Sequence, residues 1–322
     1  MNNDNGSTII EIAVTMLIVS IAIGLAFYSF NRLTKSSRSE SSRLEASMDK
    51  VVGLELLRLD IEHAGLGLGR DETCPAVRYI VNPISPDPCG DNSSVLSNAL
   101  ILRSTLNNSN SKTIGWISVD CQAGDAWINH IITDERKDQT VTDMVFLDYR
   151  ERIAFSSTSG STACPLDAHY IGYPVDSSLS NFCLNQVCTR IIYKLSSNQN
   201  LSGCATGTKN LLRTVGDGTG TPILNCVADF KVRFGLDTDG DGAVDNIVTG
   251  ASLPTAQDTV RDQLKFLRFY ALVQTSDFDP NYNFNGNVTI DSNVNLDFSS
   301  NCTECSHYHW KVIKKTIKFM DL

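Results

Sequence analysis

Residues 7–30 read STIIEIAVTMLIVSIAIGLAFYSF, and the rest of the chain has to be understood from this stretch outward. From Ile12 to Phe30 there are nineteen residues without a charge. At about 1.5 Å per residue, a helix of that length just crosses a ~30 Å hydrocarbon core. The preceding hexapeptide MNNDNG carries Asp4 and no Lys or Arg, and Ser20-Ile21-Ala22 is a poor cleavage site. A secretory signal peptide would have a basic start, a shorter apolar run and a small-x-small site. Glu11 is the odd residue, a carboxylate one turn into the apolar segment. In lipid such a group costs roughly a few kcal/mol unless paired, so it calls for a specific partner.

Beyond the apolar segment comes a Ser-rich stretch, residues 36–42. Apolar residues then recur at Leu44, Met48, Val51, Leu54, Leu57, Ile61 and Ala64. Steps of three and four predict an amphipathic helix over about 43–64 with one buried face. Gly65, Gly67 and Gly69 are expected to stop it. Joined to the apolar segment, it makes one helix over 7–64, about 87 Å long.

After Gly65 the texture changes to short runs divided by Asn, Ser, Gly, Asp and Pro. Runs at 99–102, 144–147, 190–194, 230–234, 266–273 and 312–320 predict strands. Phe230, Val232 and Phe234 alternate with Lys231 and Arg233, giving one buried and one wet face. Residues 107–112, 156–161 and 277–297 read as long polar connections. The expected fold class is α+β, a long N-terminal helix packed on a mainly antiparallel β domain over 65–322. The chain has 322 residues, 42% of them apolar, with 27 basic and 36 acidic side chains and a net charge of −9. That composition is globular, and its acidity argues against a nucleic-acid partner, which needs a basic face. Ten cysteines are many for a reducing cytosol and point to export.

Gly6-Ser7-Thr8-Ile9-Ile10-Glu11 followed by an apolar helix resembles the signal of type IV prepilins. The resemblance implies a leader over 1–6, cleavage between Gly6 and Ser7 by a prepilin peptidase, and methylation of the new amine on Ser7. It also implies that Glu11 pairs with the Ser7 ammonium of a neighbouring subunit or of its own chain. Ser7 stands where the family usually has Phe or Met. The basic residues Arg32, Lys35 and Arg38 follow the helix instead of preceding it, which by the positive-inside rule would leave the C-terminal side in the cytoplasm. The cysteines argue for the opposite orientation.

Three further pieces resemble the PilW family of minor type IV pilins. They are Leu56-Leu57-Arg58-Leu59-Asp60-Ile61-Glu62-His63-Ala64-Gly65, the strand and acidic loop over 227–242, and the closing strands over 264–273 and 310–322. The resemblance implies a type IV pilin-like fold and a structural, non-enzymatic minor pilin that helps initiate, prime or cap pilus assembly. Implied partners are other minor pilins, the major pilin and a tip adhesin. The implied location is the inner membrane, with the β domain in the periplasm before assembly and at the pilus tip after it. Two other readings stand beside it. One is a minor pseudopilin of a type II secretion system, and the other is a membrane-anchored, calcium-dependent surface adhesin.

The sharpest chemical constellation is Asp237-Thr238-Asp239-Gly240-Asp241-Gly242-Ala243-Val244-Asp245. Carboxylates fall at positions 1, 3, 5 and 9, Gly at 6 and the Ala243 carbonyl at 7, the oxygen spacing of an EF-hand-type calcium loop. Position 12 is Val248 where a bidentate Glu would stand, and the loop joins strands, not helices. The competing reading is a solvated acidic hairpin turn. A weaker echo runs Asp277-x-Asp279-x-Asn281-x-Asn283.

Cys302 and Cys305 with His307 and His309 are too tightly spaced for an easy zinc tetrahedron, which favours a structural disulfide. The disulfide candidates are Cys74, Cys89, Cys121, Cys164, Cys183, Cys188, Cys204, Cys226, Cys302 and Cys305. Connectivity stays open, with neighbours such as Cys74/Cys89, Cys183/Cys188 and Cys204/Cys226 as candidate pairs. No nucleotide loop, zinc-protease motif or nucleophile elbow is present, so no enzyme is expected.

Overall fold

The computed structural model describes residues 9–82, 87, 89–91, 97–122, 126–130, 143–148, 154–158, 169–176, 183, 187–197, 199, 201, 203–284, 286–291, 294–298, 302 and 304–320. The chain divides into two compact units, Met1–Val51 and Val52–Leu322.

The described backbone of the first unit is helical throughout. Helix α1, Ile9–Glu62, runs without a break from the apolar segment through the Ser-rich stretch. Its segment Ile9–Thr34 is long and apolar enough to cross a membrane, and none of it is buried. The hydroxyls of Thr15, Ser20 and Thr34 bond back into the helix. Thr15 Oγ1 donates to the Ile12 carbonyl at 2.9 Å and Ser20 Oγ to the Leu17 carbonyl at 2.8 Å. This suits a medium that offers no other hydrogen-bond partner.

The second unit begins with the last turns of α1. Leu57 and Ile61 are fully buried, Leu54 packs beside them, and Ala64 and Leu68 continue the same core after the helix ends. The chain turns at Gly65 (φ 95°) and Gly67 (φ 70°), left-handed conformations that cost a residue with a Cβ. The buried face is shorter than the sequence periodicity predicts. Val51 is 64% exposed, while the side chains of Leu44 and Met48 lie outside the described residues. Close packing starts at Gly53, where a Cβ would run into the backbone carbonyl of Ile223.

Among the described residues the largest sheet has eight strands. They are β1 (Val77–Ile80), β2 (Ala99–Ser104), β8 (Thr189–Leu195), β9 (Lys209–Val215), β10 (Thr221–Leu236), β11 (Asn246–Thr249), β12 (Leu264–Gln274) and β15 (Trp310–Lys318). Their order is β1-β2-β8-β9-β10-β12-β15, with β11 also on β10, and all pairings are antiparallel. Phe230, Val232 and Phe234 are buried while Lys231 and Arg233 are half-exposed, as the alternation predicts. Phe230 meets Phe269 of β12 with ring centroids 5.4 Å apart. Helix α2, Gln257–Gln263, leads into β12 and adds Val260 to the core.

Each of the six predicted runs lies wholly or largely within a strand, but the polar connections are more structured than the sequence suggests. Residues 277–297 contain a hairpin of β13 (Asn287–Ile290) and β14 (Val294–Asp297), whose Val294 and Leu296 bury against Ala228, Tyr270 and Leu272. Residues 156–158 belong to β6 (Ala154–Thr158). With β3 (Ile117–Gln122), β4 (Ala126–His130), β5 (Asp143–Asp148) and β7 (His169–Pro174), β6 forms a separate five-stranded antiparallel sheet ordered β4-β3-β7-β5-β6. Ile117, Val119, Met144, Phe146 and Tyr170 are its core.

Among the described residues, four disulfides staple the second unit: Cys74–Cys89, Cys183–Cys188, Cys204–Cys226 and Cys302–Cys305, with Cα separations of 5.6, 5.7, 5.1 and 5.5 Å. The three neighbour pairs are those expected, and the last pair closes locally. The side chain of Cys121 and all of Cys164 lie outside the described residues.

Candidate functional site

Three sets of polar residues stand out from the apolar framework. The first explains a carboxylate in the wrong place. Asp60 sits three residues from Leu57 and four from Ala64, inside the buried stripe of α1, and is itself buried. A charge there must be paired. Arg213 of β9 provides the pairing, its Nε donating to Asp60 Oδ2 at 2.5 Å and its Nη2 to Oδ1 at 3.2 Å. The Tyr193 hydroxyl of β8 donates to Oδ2 at 2.5 Å, and Asn108 Nδ2 to Oδ1 at 2.8 Å. Arg213 also donates to Asn107 Oδ1 and Ser109 Oγ. Complete burial and the facing Asp60 push the Tyr193 hydroxyl well above the usual tyrosine range, so it stays a donor. The end of α1 is thereby keyed to two neighbouring strands. This network was missed at the sequence level, although its signal was present: an acidic residue on an apolar helical face.

The second set is built around Asp91, fully buried beside the Cys74–Cys89 disulfide. It takes Nη1 of Arg78 at 3.0 Å, Nη2 of Arg103 at 2.6 Å and Nη1 of Arg190 at 3.1 Å. Asp87 adds an ion pair with Arg78 at 2.6 Å. Burial alone would lift the Asp87 carboxyl, but Arg78 and the Cys89 N–H hold it below the usual carboxylate range. These contacts fix the disulfide loop to β1, β2 and β8. Each member is engaged by a neighbour among the described residues, so the set reads as a staple.

The third set is the acidic loop between β10 and β11. Strand pairing places its ends, with Leu236 opposite Asn246. Gly240 (φ 80°) and Gly242 (φ 88°) supply the two left-handed turns. The buried Asp237 accepts from the N–H of Gly240 at 2.7 Å and of Gly242 at 2.9 Å, and lies 3.3 Å from Lys265 Nζ. Burial alone would raise its carboxyl, but those N–H groups and the ammonium hold it low. Asp245 is held low by the Thr238 hydroxyl and N–H, both 2.7 Å away.

One carboxylate oxygen each of Asp237, Asp239 and Asp245 lies within 4.8 Å of the others. Asp241 is not in that trio, and its Oδ1 takes the N–H of Ala243 at 2.7 Å. Val248 is paired opposite Phe234 in the sheet and offers no side-chain ligand. Three of the four expected carboxylates are thus brought together, and Lys265 supplies part of the counter-charge that the spacing alone seemed to demand from a cation.

Elsewhere the expectations resolve into structure. Cys302 and Cys305 are bonded to each other. The ring of His309 stacks on Tyr282 at 3.8 Å, and His307 Nδ1 contacts the Tyr282 carbonyl at 2.8 Å. Asp279 Oδ1 accepts the Asn281 N–H at 3.0 Å, an ordinary turn. Glu11 is exposed in the first turn of α1, and Gly6 and Ser7 lie outside the described residues. No family model, curated protein or solved structure matches the chain.

Proposed function

We propose that this chain is a membrane-inserted fibre subunit of the minor type IV pilin kind, structural and not enzymatic. The observation that carries the reading is α1 itself. It is one uninterrupted helix whose segment Ile9–Thr34 is long and apolar enough to cross a membrane and is not buried, while its last turns are keyed into a disulfide-stapled β domain. An apolar helix with no cover of its own needs lipid or the helices of neighbouring subunits. The prepilin-like residues Gly6 to Glu11 supply the route from one to the other. The chain is cut after Gly6, stays in the inner membrane by its helix, and enters a fibre when Glu11 pairs with the Ser7 ammonium of a neighbour. The β domain meets other minor pilins, the major pilin and a tip adhesin.

Expression of the full chain in a piliated host, followed by N-terminal mass spectrometry, tests this. A methylated Ser7 terminus is the expected result, and an intact Met1 would favour an anchored adhesin. Glu11→Ala should leave membrane insertion unchanged but abolish incorporation into the fibre. The co-purifying subunits separate a pilus from a secretion pseudopilus.

Within this reading Asp237, Asp239 and Asp245 hold a structural calcium ion that fixes the loop between β10 and β11. Hard carboxylate oxygens and an incomplete ligand set fit a weak, extracellular-type site. Calorimetric titration should show binding that is lost in Asp239→Ala. Absence of heat at millimolar calcium would remove the ion from the account and leave a hydrogen-bonded acidic turn.

A further inference from the structure

Strand β15 forms one side of the eight-stranded sheet. It pairs with β12 over nine consecutive residues, Trp310 to Lys318, without a bulge, and among the described residues no strand pairs with its other side. The opposite side of the sheet is different. There β1 has four residues, and Gly250 of the turn Gly250–Ser252 packs against Tyr79.

Exposed edges are normally blunted by shortness, bulges, proline or charge. β15 has none of the first three, and its only such device is lysine: Lys311, Lys314, Lys315 and Lys318, with no acidic residue in the strand. This concentration of positive charge lies in a chain of net charge −9. Asp291 engages Lys314. Lys311, Lys315 and Lys318 make no ion pair among the described residues, and all three are exposed.

Side chains alternate across a sheet, so Lys311 and Lys315 share one face with Ile313 and Ile317, and Lys314 and Lys318 share the other with Val312. A second copy of the same edge would set lysine beside lysine. A strand with carboxylates would meet ammonium groups on both faces and lay its apolar residues beside the isoleucines. The lysines therefore reject self-pairing and select a partner by charge. We propose that the outer edge of β15 receives, by strand addition, an extended acidic segment of a different polypeptide. The ladder of backbone hydrogen bonds provides the affinity and the lysines the choice. A monomeric anchored protein would carry the same edge, so the proposal goes beyond fibre assembly and stands without it.

The test uses the full chain in detergent micelles and two fluorescent decapeptides, one repeating Glu-Glu-Val-Val, which places carboxylates on both faces of a strand, and the other repeating Lys-Lys-Val-Val. Anisotropy should show binding of the acidic peptide, weakened by salt, and no binding of the basic one. Hydrogen exchange should slow at amides of β15. The variant Lys311→Glu/Lys315→Glu/Lys318→Glu should bind the acidic peptide about tenfold more weakly, the effect of three lost cross-strand charge pairs. Should it melt early, Lys→Gln at the same positions reads the same dependence. Equal binding of both peptides, no binding of the acidic peptide at millimolar concentration, protection away from β15 or an unchanged affinity in the charge variants would overturn the proposal. So would self-association through β15, or phosphatidylglycerol vesicles protecting β15 where the acidic peptide does not.

Discussion

Asp60 shows how much one side chain decides. Its carboxylate joins α1 to β8 and β9 through Tyr193 and Arg213, residues 133 and 153 positions away in sequence. Removing one partner of a buried ion pair leaves the other uncompensated, at a cost of about 3–5 kcal/mol. Asp60→Ala should therefore lower the unfolding free energy of the full chain by that order in a urea titration. Arg213→Ala should do the same, and the double variant should lose much less than the sum of the two. Full additivity would show that the two residues act separately. At the same scale, the acidic loop was legible from residue spacing because its geometry is local, with Asp237 capping N–H groups only three and five residues on. The Asp60 network was not legible as a network, because its members come from four separate segments: α1, the loop after β2, β8 and β9.

Among the elements, the junction of α1 with β10 is the most sensitive to size. Gly53→Ala would recover roughly 1 kcal/mol of helix propensity. The added Cβ meets the carbonyl of Ile223, a backbone atom that cannot rotate away, and relieving such overlap costs about 1–3 kcal/mol. The net effect should be a lower melting temperature, larger for Gly53→Val, and a raised melting temperature in either would contradict the close approach. A second element-level constraint is the Cys204–Cys226 disulfide, which spans 22 residues and joins the loop before β9 to β10. Replacing both cysteines by Ala should cost about 3 kcal/mol in the chain-entropy account, read from denaturant midpoints. The strands with strong alternation were predicted correctly at this scale. The β13–β14 hairpin was not, because its runs are short and polar on one face, and the apolar half is recognisable only against Ala228, Tyr270 and Leu272.

For the whole molecule, acid stability follows from the depressed carboxyls. Asp87, Asp237 and Asp291 all titrate below the ordinary value of 3.8 in the folded chain. For Asp291 the main cause is the Lys314 ammonium, then the Tyr270 hydroxyl. A group depressed on folding stabilises the native state above its unfolded pKa, and that contribution disappears as pH falls through the folded value. The melting temperature should thus be insensitive to these groups above about pH 4 and fall progressively below it. Asp291→Asn should flatten part of that slope, and an unchanged slope would remove Asp291 from the cause.

The sequence by itself determined the apolar first half of α1, the amphipathic end, the alternating strands and the Asp spacing of the loop, and it offered neighbouring cysteines as candidate pairs. Each of these is written in residues close to one another along the chain, where periodicity and turn chemistry act directly. Only the tertiary structure decided which carboxylate of the amphipathic helix is buried and by what. It also brought three arginines onto Asp91, set a second sheet apart from the first, and left the lysine-bearing side of β15 without a strand partner among the described residues. Those outcomes depend on pairings between distant segments, where burial raises the stakes of every charge and no local pattern records the partner.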